Sequence, residues 1–156
     1  MPYAKRTTVP VHQSKGQIET LLRKHGAIQF NFAHDTIRNV IGLQFQFTAR
    51  AYRFIVPMPS ADKLRISPGG RTRTDLQVIE QMDQEERRVW RALLLIIKAK
   101  MEAVESGIET FEEAFLAQTV LPGSNAVLGK DIQPLIEQAY ETQDSSVIQD
   151  NLLPAL

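Results

Sequence analysis

The sequence predicts an α+β fold: a short helix, a three-stranded antiparallel meander, a long central helix, then short C-terminal helices and an acidic tail. Apolar and polar residues alternate with a period of two over three stretches between residues 27 and 58, as expected for strands with one buried face. Residues 85–107 instead repeat apolar side chains every three or four positions, with no Gly or Pro before Gly107. Short connections between the strands favour antiparallel pairing.

A single domain with an extension at each end is expected from the length of 156 residues. Residues 1–12 are predicted to form an extended arm, residues 13–120 an α-βββ-α-α globular domain, and residues 121–156 a C-terminal helix with an acidic-apolar tail. The chain has no Cys, and therefore no disulfide framework and no thiolate ligands for zinc. It has no signal-peptide core and no apolar run near the roughly 20 residues of a membrane span, which favours a cytoplasmic protein without membrane contact.

The first helix is predicted to begin at Ser14, because Ser14 and Gln17 have the spacing of a capping box. Its buried stripe has helical spacing and consists of Ile18, Leu21, Leu22 and His25. Gly26 is suited to end this helix, because glycine adopts the left-handed conformation without steric cost.

The three strands are predicted at residues 27–33, 40–48 and 51–58. Their apolar face, expected to lie against the long helix, carries Ile28, Phe30, Phe32, Ile41, Leu43, Phe45, Phe47, Tyr52, Phe54, Val56 and Met58. The opposite face carries mostly amides, which is typical of a solvated face or of a hydrogen-bonding surface for a partner. Because the aromatic residues alternate onto the buried face, an exposed stacking platform for single-stranded nucleic acid is disfavoured.

Residues 57–74 have the Pro, Gly, Ser and Thr content of a loop, and they carry four cations against one acid. A mobile basic loop beside a basic helix favours an anionic partner, although a solvated loop fits the composition equally well. Thr74 and Gln77 have the spacing of a second capping box, so the long helix is predicted to start near Asp75.

The long helix is predicted to be covered on more than one side. Its core stripe consists of Trp90, Leu93, Leu94, Ile97, Met101 and Val104. Residues 92–97 are all apolar, so these turns require the sheet on one face and another helix or subunit on the other. Arg87, Arg91 and Lys98 form a second stripe, which is either a solvated flank or a basic ridge for phosphate or an acidic partner.

The C-terminal part is predicted to hold two short helices and a tail. Thr110 and Glu113 have the spacing of a third capping box, opening an amphipathic helix that reaches Val120. Asp131 is the predicted cap of a helix at residues 132–140, with Pro134 in its first turn. Residues 141–156 are interpreted as a weakly structured acidic-apolar tail, suited to docking on a partner or on a neighbouring copy.

Charge is divided unevenly along the chain. Residues 1–100 contain 17 Lys and Arg against 8 Asp and Glu, whereas residues 101–156 contain Lys130 alone against 10 acids. The two parts either pack together and neutralise each other, or leave a basic surface for nucleic acid, or form a head-to-tail contact between subunits.

No catalytic residue, metal site or cofactor is predicted. The three histidines lack the spacing of a helical metal site; they are His12, His25 and His34. Glu85-Glu86 and Glu112-Glu113 are adjacent pairs that point apart on a helix, so neither is a paired-carboxylate site. The chain also lacks a nucleophile elbow and a glycine-rich nucleotide motif, which makes a small hydrolase the weakest hypothesis.

Residues 87–116, RRVWRALLLIIKAKMEAVESGIETFEEAFL, resemble a motif of small, functionally uncharacterised proteins from tailed bacteriophages and prophages. The motif opens with Arg-Trp-Arg-Ala-Leu and continues into Lys-Ala-Lys-x-Glu-Ala-Val-Glu-Ser-Gly-Ile-x-Thr-Phe-Glu-Glu, and residues 90–93 and 98–113 match it. Val89 stands before Trp90 where the motif has Arg. Residues 14–18 and 24–27 resemble the start of the family. The resemblance implies a phage or mobile-element setting and no particular activity.

The favoured hypothesis is a phage-type accessory protein that binds nucleic acid without reading its sequence, DNA in preference to RNA, in support of replication, recombination or packaging. Its phosphate contacts are assigned to Arg50, Arg53, Lys63, Arg65, Arg71, Arg73, Arg87, Arg88, Arg91 and Lys98. The alternative is a non-enzymatic interaction module, either a homo-oligomeric structural component or an inhibitor of a host protein. Its contacts are assigned to Leu95, Ile96, Val147, Ile148, Leu152, Leu153 and Leu156.

Overall fold

The computed structural model describes residues 4–152 and has the expected α+β architecture. Its elements are α1 (Val11–Lys24), β1 (Ile28–Asp35), β2 (Val40–Phe47), β3 (Arg50–Pro57), α2 (Ala61–Arg65), α3 (Asp75–Glu105), α4 (Phe111–Ala114), a 3-10 helix (Leu116–Gln118), α5 (Leu128–Thr142) and α6 (Ser146–Leu152). The sheet order is β1-β2-β3 and both pairings are antiparallel, so the predicted meander is confirmed. Within residues 4–152, no helix has the length and apolar content needed to cross a bilayer.

The apolar face of the sheet lies against α3, as predicted. In the register, Leu43 is opposite both Phe32 and Phe54, which keeps these side chains on one face. Trp90 of α3 is fully buried, and its ring centroid lies 5.7 Å from that of Phe32. The sheet therefore covers one side of the long helix.

The core stripe of α3 is also confirmed. Its buried members are Trp90, Leu93, Leu94, Ile97 and Met101, and Val104 is half-buried. Beyond the end of α3, Phe111 and Phe115 close the core, with ring centroids 6.4 and 5.9 Å from that of Phe45. These aromatic contacts join α4 to the sheet.

The start of β1 departs from the predicted alternation. The register shifts between Ile28 and Asn31, and Gln29 between them has a positive φ of 55°. A bulge of this kind inserts an extra residue and turns the preceding side chain away from its expected face. The expected burial of Ile28 is therefore wrong, because 47% of this residue is exposed.

The first helix begins one turn earlier than predicted. α1 starts at Val11 after Pro10, which occupies the N-cap position without a side-chain hydrogen bond. Ser14 is buried on the face of Ile18 and Leu22, and its Oγ has no hydrogen-bond partner among the described residues. The prediction that Ser14 caps the helix is wrong, because its spacing of four from Ile18 puts it on the core face. The predicted extended arm loses residues 11 and 12 to α1.

The segment between β3 and α3 contains regular structure where a loop was expected. Ser60 caps α2 by accepting a hydrogen bond from the backbone N–H of Lys63, and Ile66 pairs with Thr72 in a β-bridge. The expectation of an irregular loop is therefore wrong for this segment. The predicted capping box of Thr74 and Gln77 is confirmed, and α3 starts at Asp75.

The helix that follows Gly107 is shorter than expected. Thr110 and Glu113 form the predicted capping box, which is confirmed. However, α4 ends at Ala114 and a 3-10 helix follows it, and Val120 pairs with Val127 in a β-bridge. The predicted continuous helix to Val120 is therefore wrong.

The last two helices form a hairpin. α5 starts at Leu128, so Asp131 lies in its first turn and does not cap it, and Pro134 lies inside the helix. α6 follows where a weakly structured tail was expected. Asp144, two residues before Ser146, accepts at Oδ1 from the backbone N–H of Ser146 at 2.9 Å and at Oδ2 from its hydroxyl at 2.7 Å.

Candidate nucleic-acid interface

Two side-chain contacts align α1 with α3. Nη1 of Arg91 donates to Oε1 of Gln17 at 2.7 Å, and Nε2 of His25 lies 2.6 Å from Oε1 of Glu105. His25, directly after α1, follows Gln17 in the chain, and Glu105 follows Arg91 on α3. The two helices therefore run in the same general direction. Their exposed sides therefore face a common strip of surface.

A groove lies along this strip between α1 and α3. It encloses about 530 Å³ and is lined by Gln13, Gly16, Gln17, Thr20, Leu21, Lys24 and Lys98. We call it the basic groove, because these seven residues include two lysines and no carboxylate. Neither Lys24 nor Lys98 forms an ion pair with any residue from 4 to 152.

Helix geometry explains why these side chains share the groove. Gln13, Gln17, Thr20 and Lys24 follow one another at intervals of four, three and four residues, which forms one stripe on α1. The buried stripe of α1, with Ser14, Ile18 and Leu22, lies on a different side of the helix. On α3, Arg91 and Lys98 are seven residues apart and therefore lie two turns apart on the same side.

Of the ten predicted nucleic-acid contacts, Lys98 lines the basic groove and Arg91 adjoins it through Gln17. Arg87 and Arg88 lie further toward the start of α3 and are half-buried. Arg87 donates to Oε1 of Gln84 at 2.7 Å, and Arg88 pairs with Glu85 at 2.9 Å. Both side chains are therefore held by partners on their own helix.

The basic residues before α3 do not join the groove. Nη1 of Arg65 lies 2.6 Å from Oδ1 of Asp75, and Nη1 of Arg73 donates to the carbonyl of Leu64 at 2.7 Å. These contacts fasten α2 to the start of α3, which is a structural role. Lys63 and Arg71 are exposed, and Arg71 lines a separate polar pocket that also contains Glu80.

Two of the predicted nucleic-acid contacts, Arg50 and Arg53, are on β3 and lie away from the basic groove. Arg53 is on the sheet face opposite α3, where it donates to Gln44 at 2.8 Å and to the carbonyl and side chain of Asn125 at 2.9 Å each. Arg50 is exposed at the first position of β3. The ten cations therefore do not form one surface, because they divide between both sides of the sheet.

Sequence reasoning missed the contribution of α1. Lys15 lies 4.8 Å from the ring centroid of Trp90, and Lys24 lines the groove. The glutamine and lysine spacing of residues 13–24 was visible in the sequence. The pairing of this stripe with α3 was not, because Gln17 and Arg91 are 74 residues apart.

As far as residue 152, the acidic C-terminal part does not neutralise the predicted cations through ion pairs. In the described part of the chain, the acids paired with any of the ten are Asp75 and Glu85, and both precede residue 101. Among residues 4–152, the side-chain contact that links an acid of the C-terminal part to the first part of the chain is that of Oε1 of Glu105 with Nε2 of His25, at 2.6 Å. Within the part of the chain that the structure describes, no ion pair cancels the positive charge of Lys24 and Lys98 in the basic groove.

Lys100, the cation of α3 whose pKa is lowered, belongs to the core and not to the groove. Burial lowers the pKa of Lys100. Its ammonium group donates to the carbonyl of Ala114 and lies 5.4 Å from the ring centroid of Phe115. Lys100 therefore holds the end of α4.

A second cavity, of about 550 Å³, lies between β3, the 3-10 helix and α5. Its lining includes Phe54, Ile55 and Val127, with Arg53 and Lys130 as its charged members. None of its lining residues is His, Asp, Glu or Ser, so it contains no acid–base pair. In the described residues there is also no group of three or more His, Asp or Glu side chains that could hold a metal ion.

The predicted partner contacts divide into two groups. Leu95 and Ile96 are 42% and 48% exposed on α3, whereas Val147 and Ile148 are half-buried on α6. Leu153, Leu156 and the side chain of Leu152 lie outside the described part of the chain.

Comparison with protein-family models, with curated proteins and with solved structures found no match to this chain.

Proposed function

We propose that this protein binds nucleic acid without sequence preference, through phosphate contacts in the basic groove. The observation that carries the proposal is the pair Lys24 and Lys98, which line one groove free of carboxylates and have no ion-pair partner among residues 4–152. Arg91 adds a third cation at its edge. Lysine and arginine that meet phosphates supply most of the affinity of non-specific binding.

The groove also offers neutral hydrogen-bond donors. Gln13, Gln17 and Thr20 line the groove together with the two lysines, and such side chains contact phosphate and sugar oxygens in nucleic-acid complexes. Arg91 and Lys98 are separated by about 10 Å along the axis of α3. This is close to three nucleotide steps of about 3.4 Å along one strand of duplex DNA.

The groove favours backbone contacts over reading of the bases. The aromatic side chains of the sheet are packed against α3, α4 and one another. They are therefore not available to stack on unpaired bases, as they do in many single-strand binding sheets. Duplex DNA is the preferred ligand in this proposal. The role proposed for this binding is support of replication, recombination or packaging; the resemblance to small phage proteins supplies the setting, which is the cytoplasm of the host cell.

Binding of a fluorescent DNA duplex of mixed sequence, followed by anisotropy at about 50 mM salt, tests the proposal. The groove variant Lys24→Glu/Lys98→Glu is expected to lose most of the affinity. The control Arg38→Glu/Lys130→Glu makes the same change in net charge away from the groove and is expected to bind like the wild type. Equal affinity of the groove variant and the control would contradict the groove as the binding site.

The alternative function, a non-enzymatic homo-oligomeric component, is favoured by one specific observation. Leu95 and Ile96 expose adjacent aliphatic side chains on the longest helix of the described chain. Light scattering combined with the absorbance ratio at 260 and 280 nm separates the two functions. A defined multimer without bound nucleic acid favours the alternative, and co-purifying nucleic acid favours the groove proposal.

A further inference from the structure

The α5–α6 hairpin is attached to the body through a small area. The principal neighbours of α5 are the 3-10 helix and α6, and none of its fifteen residues is buried. Ile136 and Ala139 of α5 line a common pocket with Ile148 of α6, so the two helices use part of their apolar surface on each other. The other sides of α5 remain open to a partner.

The hairpin is strongly acidic. Residues 128–152 contain Lys130 against five acids: Asp131, Glu137, Glu141, Asp144 and Asp150. Tyr140 is 76% exposed and has Glu137 three residues before it and Glu141 directly after it. Neither glutamate forms an ion pair within residues 4–152. Glu137 and Glu141 are one turn apart on α5, and Tyr140 lies beside them at the rim of the pocket between α5 and α6. The hairpin thus presents an exposed aromatic side chain next to two carboxylates that have no ion-pair partner among residues 4–152.

The outward side of α3 has the complementary pattern. Leu95 lies four residues after Arg91 and three before Lys98, so helix geometry aligns the three in one stripe with the aliphatic residue in the middle. Ile96 follows Leu95 and exposes further apolar surface beside this stripe. Half-exposed aliphatic residues next to two cations complement, in charge and in apolar character, an exposed aromatic residue next to two acids.

The two patterns do not meet within one chain. α5 packs on the 3-10 helix beside β3, whereas Leu95 and Ile96 are on the exposed side of α3, away from the buried Leu93, Leu94 and Ile97 that face the sheet. A contact between them therefore requires two molecules. We infer that the α5–α6 hairpin of one copy docks, through Tyr140, Glu137 and Glu141, on the Arg91–Leu95–Lys98 stripe of a second copy.

Such a contact joins two different surfaces, so it is heterologous. An open row of subunits then has a free hairpin at one end and a free stripe at the other. It produces a ring if the rotation closes and a filament if it does not. The inference goes beyond the proposed function and stands without it, although both use Arg91 and Lys98. If both hold, the neighbour's hairpin competes with nucleic acid for these two cations.

Complementation between two surface variants tests the inference by light scattering. The hairpin variant Glu137→Lys/Tyr140→Ser/Glu141→Lys keeps an intact stripe, and the stripe variant Leu95→Glu/Ile96→Glu keeps an intact hairpin. The wild type is expected to form multimers at about 100 μM, a concentration suited to interfaces of modest affinity. Each variant alone is expected to be monomeric, and their equimolar mixture is expected to form a dimer that grows no further.

Three outcomes would overturn the inference. A monomeric wild type would show that the stripe serves a different partner. A hairpin variant that still self-associates would show that α3 packs on α3 of the second copy. A mixture that remains monomeric would show that the two surfaces do not recognise each other.

Two further measurements keep the result interpretable. The single change Tyr140→Ser, which removes the aromatic centre and no charge, is expected to weaken self-association roughly tenfold, with an unchanged circular-dichroism spectrum. The hairpin variant is expected to bind DNA at least as tightly as the wild type. Self-association and DNA binding are measured separately. A wild type that binds DNA without self-associating contradicts the docking inference alone, and one that self-associates without binding DNA contradicts the proposed function alone.

Discussion

Nη1 of Arg91 donates a 2.7 Å hydrogen bond to Oε1 of Gln17, and this contact spans the two helices that form the basic groove. The guanidinium is thereby held at the edge of the groove by a neutral acceptor, which leaves its charge available to a phosphate. An acidic residue in the place of Gln17 would keep the hydrogen bond and cancel that charge. The presence of glutamine instead of an acidic residue at position 17 therefore decides whether the charge of Arg91 is available in the groove.

Gln17→Glu is expected to weaken DNA binding while the fold keeps its stability. The new carboxylate pairs with Arg91 in an exposed position, where such pairs contribute about 0–1 kcal/mol to the free energy of unfolding. Urea unfolding and DNA anisotropy measure the two quantities. Gln133→Glu on α5 is the control, since it makes the same change outside the groove and is expected to leave DNA affinity unchanged. Equal affinities for the two variants would contradict the role assigned to Arg91.

Leu94 and Leu95 are neighbours with opposite environments, 2% and 42% exposed. Leu94→Ala is expected to lower the free energy of unfolding by about 2–5 kcal/mol, because it leaves a cavity in the core. Leu95→Ala is expected to change it by less than about 0.5 kcal/mol in the monomer. Urea unfolding at low protein concentration measures both. A large loss for Leu95→Ala under these conditions would mean that the outward side of α3 is covered within the single chain.

Gly16 and Gly129 are both helical glycines, and they are expected to respond oppositely to alanine. A Cβ on Gly16 meets no atom within 4 Å, so Gly16→Ala should stabilise the protein by about 0.5–1 kcal/mol through helix propensity. A Cβ on Gly129 would lie 2.8 Å from the carbonyl oxygen of Ala117, so Gly129→Ala should separate α5 from the 3-10 helix. Thermal unfolding and limited proteolysis of the hairpin measure the two effects. Protection of the hairpin in Gly129→Ala would contradict the close packing at this position.

The capping box at α4 makes stability depend on pH. The backbone N–H of Thr110 donates to Glu113 at 2.7 Å, and this bond, with that of the Thr110 hydroxyl, lowers the pKa of Glu113 below 4.5. A carboxylate whose pKa is lower in the folded state stabilises the fold above its unfolded pKa, and this contribution is lost as the pH falls through the folded pKa. Glu113→Gln should therefore be less stable than the wild type at neutral pH, and the difference should vanish in acid. Urea unfolding midpoints, measured from about pH 7 to about pH 3 to span the titration of carboxylates, test this difference in stability. Glu112→Gln is the control.

Periodicity predicted the elements that bury one regular face. The alternation in β2 and β3 and the stripe from Trp90 to Met101 are confirmed, because burial of one face is what creates a period of two or of 3.6 residues. Ser14 shows where local patterns fail. Its spacing to Gln17 matches a capping box, yet its spacing to Ile18 matches the core face, and the tertiary contact prevailed. α2 and α6 are too short for their periodicity to stand out from loop composition.

The groove could be predicted only in part. The cations on α3 were identified because Arg91 and Lys98 form a stripe within one helix. Lys24 and Gln17 were not identified, because a groove between two helices depends on a tertiary pairing that no local pattern encodes. For the same reason, the sequence did not indicate that Arg65 and Arg73 are held by Asp75 and the carbonyl of Leu64.

The salt dependence of DNA affinity tests the central claim most directly. With three phosphate contacts from Lys24, Arg91 and Lys98, the logarithm of the duplex association constant should fall with the logarithm of salt concentration with a slope near −2.7, at about −0.9 for each contact. Replacing each of the three by Ala should reduce the magnitude of the slope by about 0.9, so that the triple variant retains little dependence on salt. The same slope and affinity in the triple variant and the wild type would contradict the account.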